Sequence, residues 1–597
     1  VFGALLTLSG GAAAAILVVT NANDSGPGSL REKLTVANAT PGNDVINFAI
    51  PGTSVQHIHL ISPLPPLTDD AGVTIDGYTQ FLASPNTLAA GNNAFLKIEI
   101  IGTEAGAQAI GIDVRSSANV IRGLVVNSFD RIGIAVQRGV GNRVIGCFVG
   151  TDPSGSQAAP NRAGILVIFN GKDPNDPAAT ADTVIGSPSP ADRNLVSGNL
   201  ENGIAADFLS SNTVVQNNYV GTNAAGNAAL ANGSTGVLVT GPGTIVGGPS
   251  AGAGNLISGN GLGVGLGVAA QTFVQGNLIG TDVSGTAFIP NFTGVRIFYS
   301  QFNTIGGVAQ AARNVIAGNR GTGIQIFGFA TTNNAVSGNS IHDNGALGVD
   351  LDADGVSAND VGDGDDGGNL LQNFPVLTSA TIAGGATRVA GSLNSTPSTK
   401  FRVEFFSNEE CDPSGFGEGE KFLGSTDVTT DPTGNASFLV TNLAGPGAGR
   451  SVTATATDPA GNTSEFSACE TIGQQFFTLA PCRIVDTRNL AGPLGGPALA
   501  AQSGRTFALV GACGIPASAR SVAANLTVTQ PAAAGYLTIH PPSATIPLAS
   551  SINFSAGKTR SNNAILRLSM DGTGSVVVEN ASPGTVQFIL DVSGYFE

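Results

Sequence analysis

Apolar and polar positions alternate in very short bursts along the first two-thirds of the chain. Gly164-Ile-Leu-Val, Gly203-Ile-Ala, Gly236-Val-Leu-Val, Gly294-Val-Arg-Ile and Gly323-Ile-Gln-Ile each show period-two patterning over a few residues, the signature of a strand with one buried face. Strands so short bury nothing alone. Coiled into a solenoid, each pairs with its equivalent one coil along, and the inward side chains stack into one continuous core. The outward middle position of these units runs Asp113, Ala135, Leu166, Ala205, Leu238, Gly265, Arg296, Gln325, Asp350.

Longer phrases repeat over the same region. Asn194-Leu-Val-Ser-Gly-Asn199 returns as Asn255-Leu-Ile-Ser-Gly-Asn260 and Asn314-Val-Ile-Ala-Gly-Asn319, in steps of 61 and 59 residues. Thr183-Val-Ile-Gly returns from Thr244 and Thr304, in steps of 61 and 60. Gly150-Thr-Asp-Pro-Ser-Gly155 returns from Gly221 and Gly280, in steps of 71 and 59; the longer step holds Gly171-Lys-Asp-Pro-Asn-Asp-Pro177, a turn-rich loop insertion. A period near 60 reads as two or three coils. The recurring Asn residues suit corners, where a left-handed conformation is tolerated and amides bond from coil to coil. Alignment of the Gly-Thr phrases puts Cys147 where Asn218 and Asn277 stand, as a buried structural thiol in an inward ladder.

A solenoid needs covered ends. Ser29-Leu-Arg-Glu32 is a capping box, and Leu30, Leu34 and Ala37 line one face of a short helix suited to lie over the first coil. After Pro375 the period stops. Phe401–Phe406, Ser437–Thr441 and Ser451–Ala456 alternate as strands between turns such as Asp431-Pro-Thr-Gly434, predicting a small β-sandwich over 376–472. Residues 473–597 predict a further β-rich domain, in which Arg483, Asp486 and Arg488 read as a buried ion-pair cluster, or alternatively a ligand pocket. Residues 1–20 carry no charge and read as a signal-peptide-like segment, the rivals being a docking strand and a spanning helix. The solenoid proper is expected over 21–375.

Composition agrees with many strands and tight turns: of 597 residues 11% are charged, and 83 are Gly. A net charge of −16 without a basic stripe argues against nucleic-acid partners. No segment after residue 20 is apolar for long enough to span a bilayer, so no membrane-spanning segment is expected in the mature protein. Cys411–Cys469 and Cys482–Cys513 would each close a loop within one domain, as in an oxidising compartment; the rival reading is four buried thiols.

Two kinds of chemistry merit a test. Asp350-Leu-Asp-Ala-Asp-Gly355 sets Asp350, Asp352 and Asp354 at alternate positions before a turn, with Asp360 and Asp363 following; such oxygens suit a structural calcium, although Val361 stands where a calcium loop would close with Glu. The plainer alternative is an acidic exit loop. For an enzyme, acids and bases should gather on neighbouring coils of one face. The outward row places acids on no two neighbouring coils, His57, His59, His342 and His540 are scattered, and no Gly-x-x-x-x-Gly-Lys-Ser/Thr phosphate loop occurs.

Gly28-Ser-Leu-Arg-Glu32, Pro63-Leu-Pro-Pro-Leu and Val73-Thr-Ile-Asp-Gly-Tyr-Thr-Gln80 resemble the N-terminal region of large secreted bacterial proteins of the CSLREA type, over roughly residues 20–375. The resemblance implies a right-handed parallel β-helix at the cell surface and carries no agreed catalytic residues. Residues 376–472 are similar to the immunoglobulin-like modules that follow such helices, and 473–597 to a C-terminal module of secreted bacterial proteins. The expected function is a secreted or cell-surface structural or adhesive protein presenting its surface to a glycan, a cell or other copies of itself. The alternatives are a carbohydrate-active lyase, hydrolase or epimerase, and a subunit of an extracellular filament.

Overall fold

A computed structural model describes residues 14–168, 180–383, 385–446, 450–542, 546–569 and 571–597. Residues 1–13 of the apolar N-terminal stretch and the expected loop insertion at 171–177 lie outside the described residues.

Three long parallel sheets wind into a β-helix. The first has 11 strands, from Ile16–Val19 to Ala335–Ser337; the second has 10, from Gln56–His59 to Ser340–His342; the third has 9, from Ile110–Arg115 to Val349–Leu351. Each strand pairs with its counterpart one coil along, and Leu195, Tyr219 and Leu256 stand in register, so the 60-residue period is two coils. Ile16–Val19, within the stretch read as signal-like, is the first strand of the first sheet and pairs with Asp44–Phe48.

The alternation explains the core. Ile165, Ile204, Val237, Val264, Val295, Ile324 and Val349 form one registered inward row in the third sheet, all essentially unexposed. Burying each such side chain contributes roughly 2 kcal/mol. Among the asparagine ladders at the corners, two are long. One begins at Cys147, whose N–H donates to Asn194 Oδ1, and continues through Asn218, Asn255, Asn277, Asn314 and Asn339. The other links Asn161, Asn199, Asn232, Asn260, Asn291, Asn319 and Asn344.

The repeated Gly-Thr phrases are small hairpins closed by Thr151–Ala158, Thr222–Ala229 and Thr281–Phe288 bridges. Asp152, Asn223 and Asp282 fold back onto main-chain N–H groups of their own turns. Successive hairpins bond to each other, Ala224 N–H to Gly155 O and Val283 N–H to Gly226 O, both 2.9 Å. With Tyr78 and Ala94 they bury the outer face of the second sheet, where Val125, Phe148, Leu195, Tyr219 and Leu256 cluster. Arg193, buried and without a carboxylate partner in its hydrogen bonds, holds the segment near residue 90 by donating to the carbonyls of Leu88, Ala89 and Gly91.

Both ends are covered. Helix Leu30–Ala37 begins at Ser29, whose hydroxyl accepts from Glu32 N–H at 3.2 Å, and its buried Leu30, Leu34 and Ala37 join the solenoid core. At the other end stand antiparallel strands Lys400–Asn408, Lys421–Thr429 and Ser451–Thr457 of the β-sandwich region. Phe406 and Phe466 belong to the same core cluster as the solenoid, and Gly419 bridges Ile341 on the last coil. The described residues up to Thr378 thus form one compact unit with Gly391–Phe438 and Pro446–Glu470, which include Cys411–Cys469.

The second unit comprises Ser379–Ala390, Leu439–Gly445 and Thr471–Glu597. Within it lie two four-stranded antiparallel sheets around a core that includes Phe507, Leu526, Leu537 and Phe588, and the Cys482–Cys513 disulfide. Arg483 pairs with Asp591 and Arg488 with Asp486, but the two guanidinium side chains are 50% and 44% exposed, so the expected buried cluster is a surface network around a buried Asp486.

Candidate functional site

The outward row of the third sheet follows the alternation residue for residue: Asp113, Ala135, Leu166, Ala205, Leu238, Gly265, Arg296, Gln325 and Asp350 are successive register partners. Polar chemistry gathers on its last three coils. Arg296 Nε donates to Gln325 Oε1 at 3.1 Å, Gln325 Nε2 to Thr322 Oγ1 at 3.4 Å, and Thr322 Oγ1 to Asp350 Oδ2 at 3.5 Å. Burial raises the Asp350 carboxyl above the usual carboxylate range, partly offset by the N–H of Gly355.

Two residues beyond Arg296 and Gln325 on the same face, Phe298 and Phe327 are register partners with stacked rings, centroids 6.3 Å apart and 18° from parallel. Phe298 lies over Gly267, where an added Cβ would come within 2.7 Å of the ring. Tyr299 meets Phe298 edge-on at 5.9 Å; it is 58% exposed and Phe329 is 88% exposed. Partly exposed rings beside a chain of donors and acceptors, repeating at about 4.8 Å per coil, can hold a ligand that is flat and apolar on one side and hydroxylated at its rim.

A second feature lies in corner loops that the strand pattern does not reach. Glu104, Asp130, Arg162 and Glu201, with Phe129 and Leu200, line a groove of about 980 Å³. Arg162 Nε donates to Glu201 at 2.8 Å, and Asp130 accepts from Gln108 N–H at 2.8 Å. These acids escaped the sequence reading because they sit one corner away from the Gly-Ile-x-Val units. Their signal was present only as charges following Phe129, Asn161 and Asn199-Leu.

Of the expected calcium ligands, the structure brings Asp360 and Asp363 together, joined by Asp365, with one carboxylate oxygen from each within 4.8 Å of the others. Asp350 ends the outward row as the register partner of Gln325 with Asp354 near it, and Asp352 accepts from Gly368 N–H at 2.8 Å. Left-handed backbone at Asp352 and Ala353 (φ 58° and 60°) turns the chain there, interrupting the straight run of alternate ligands. Asp363 already accepts from Asn373 N–H and the Ser395 hydroxyl, and burial raises its carboxyl and that of Asp365. Cys147 is fully buried, and burial pushes its thiol up to about 12, as suits a structural rather than a reactive group.

No family model matches the chain, and no curated protein matches it. Among solved structures, the enzymatically active domain of tailspike protein 4 from bacteriophage CBA120 is similar at 10% identity and a TM-score of 0.16, covering 96% of this chain. The chain spans 66% of the length of that domain, and a likeness of this size carries nothing about activity.

Proposed function

We propose that this is an extracellular structural or adhesive protein that holds a glycan on the outer face of its third sheet. The registered Phe298–Phe327 pair beside the Arg296–Gln325–Asp350 chain carries the reading. A pyranose offers C–H groups on one face and hydroxyls at its edge, which match rings and polar ladder respectively. The net charge of −16 favours a neutral or amine-bearing sugar over a polyanion. Two disulfides support an oxidising, extracellular setting, and the CSLREA-type and immunoglobulin-like resemblances point the same way. No described helix is long and apolar enough to cross a membrane. A cell bearing the glycan is the partner on this reading. We also propose a structural calcium ion at Asp360, Asp363 and Asp365.

An array of neutral, amino and acidic oligosaccharides tests the main reading. Wild-type protein should retain neutral or amino sugars, and Phe298→Ala with Phe327→Ala should weaken retention at least tenfold without lowering the melting temperature by more than a few degrees. Unchanged retention in the double variant would sink the assignment of the face. The corner groove favours a second reading, cleavage of the bound chain, because it gathers carboxylates from several coils. Product release lost in Asp130→Asn or Glu201→Gln would establish that reading.

A further inference from the structure

We propose that docking of the sandwich on the last coil is pH-sensitive, tight in mild acid and loosening toward alkaline pH, with Glu418 as the sensing group. The last coil of a solenoid ends with donors and acceptors that the next coil would have met. Along the second ladder each asparagine presents its N–H and its Nδ2 to the Oδ1 of the next; those of Asn319 reach Asn344 at 3.2 and 2.9 Å. Asn344 has no next asparagine. Its N–H and Nδ2 reach the Glu418 carboxyl instead, at 3.2 and 2.7 Å, so a glutamate of the sandwich stands as the next rung. Glu404 and Glu465 cap the coil similarly, accepting from Gly338 N–H at 2.8 Å and Leu351 N–H at 2.9 Å.

The three differ in compensation. Arg402 Nε donates to Glu404 at 2.8 Å, whereas among the described residues no cation bonds Glu418 or Glu465. Burial raises the Glu465 carboxyl as well, to about 7; Glu418, 6% exposed, is the more strongly raised of the two. Its surroundings are acidic. Asp343 and His342 face it from the solenoid; Glu409, Glu410, Asp412 and Glu420 face it from the sandwich, around a cavity of about 610 Å³ beside Cys411. His342 is itself engaged with Asp343 at 2.7 Å. The main-chain oxygen of Glu418 is fixed by Asn408 Nδ2 and Thr453 Oγ1 at 3.0 and 2.5 Å, which holds the side chain at the junction.

Burial, reinforced by Asp412 and Asp343 and opposed by the two Asn344 bonds, pushes the Glu418 carboxyl up to about 8. Undocked and solvated, the group returns to an ordinary value near 4.5. The docked state therefore holds a proton that the undocked state releases. Its contribution is full below about pH 4.5, declines as pH rises, and is exhausted above about 8. Between these limits Glu418 weakens the docking equilibrium about tenfold per pH unit, and Glu465 adds to this below about 7.

Amide hydrogen exchange on the full chain, corrected for intrinsic rates, tests this. From pH 5 to 8 the protection of Ile341 and Asn344 should fall by at least about tenfold per unit, while Ile257 and Asn260 in mid-solenoid keep theirs. Glu418→Gln keeps an acceptor for Asn344 but carries no charge, and should reduce the dependence to the share that Glu465 carries, leaving little above about pH 7. Should that variant fail to fold, the wild type decides alone. Equal pH dependence at the last coil and mid-solenoid overturns the proposal, as does a folded Glu418→Gln protein with the wild-type slope.

Discussion

Asn277 shows what a single rung does. Its Oδ1 accepts from the N–H and Nδ2 of Asn255 at 3.0 and 2.9 Å, and its Nδ2 donates to Val246 O at 2.9 Å and Asn314 Oδ1 at 3.0 Å. Asn277→Ala strips partners from groups on three coils at full burial. Each orphaned group costs about 1–3 kcal/mol, so a loss of about 3 kcal/mol or more is expected as a lower urea midpoint. A loss under about 1 kcal/mol would mean water replaces the amide. These ladder residues were legible because Asn recurs at fixed offsets, and the same offsets placed Cys147 in the ladder. Arg193 was not legible. Its partners at 88–91 lie about a hundred residues away, and no local pattern announces main-chain carbonyls as ligands.

At the scale of elements, period-two patterning located the strands, and the outward row survived in register from Asp113 to Asp350. The loops between strands obey no such period. That is why the hairpins' role as a cover and the corner acids emerged only in three dimensions, whereas the aromatic strip lies on the strands and only its stacking needed the register. The Asp-rich exit loop lies between these cases, since its acids were legible but their grouping was not. Asp365 Oδ1 is buried without a hydrogen-bond partner, so a cation at Asp360, Asp363 and Asp365 would satisfy it. Calcium should raise the melting temperature, and Asp365→Asn should remove that rise. The rise should also grow with pH, because burial keeps the Asp363 and Asp365 carboxyls protonated to higher pH than usual and calcium needs them ionised. A melting curve indifferent to calcium at pH 8 would leave the loop as a set of internal hydrogen bonds.

At the scale of the whole molecule, the period announced a solenoid and a capping box its N-terminal helix, but the change of pattern after Pro375 suggested a separate sandwich. Patterning marks where one kind of element stops; it does not report which exposed edges the next element must cover. Here Phe406 and Phe466 complete the solenoid core, while Glu404, Glu418 and Glu465 meet last-coil N–H groups. A chain ending at residue 375 should therefore lose the contribution of two buried rings, roughly 2 kcal/mol each, and leave at least three buried donors exposed to solvent or to other chains. Such an end presents open strand edges on all three sheets, a template for edge-to-edge association. Light scattering should find that chain oligomeric or aggregated at concentrations where a chain ending at residue 472 stays monomeric. If the shorter chain is monomeric and equally resistant to heat, the last coil caps itself and the sandwich is a passenger.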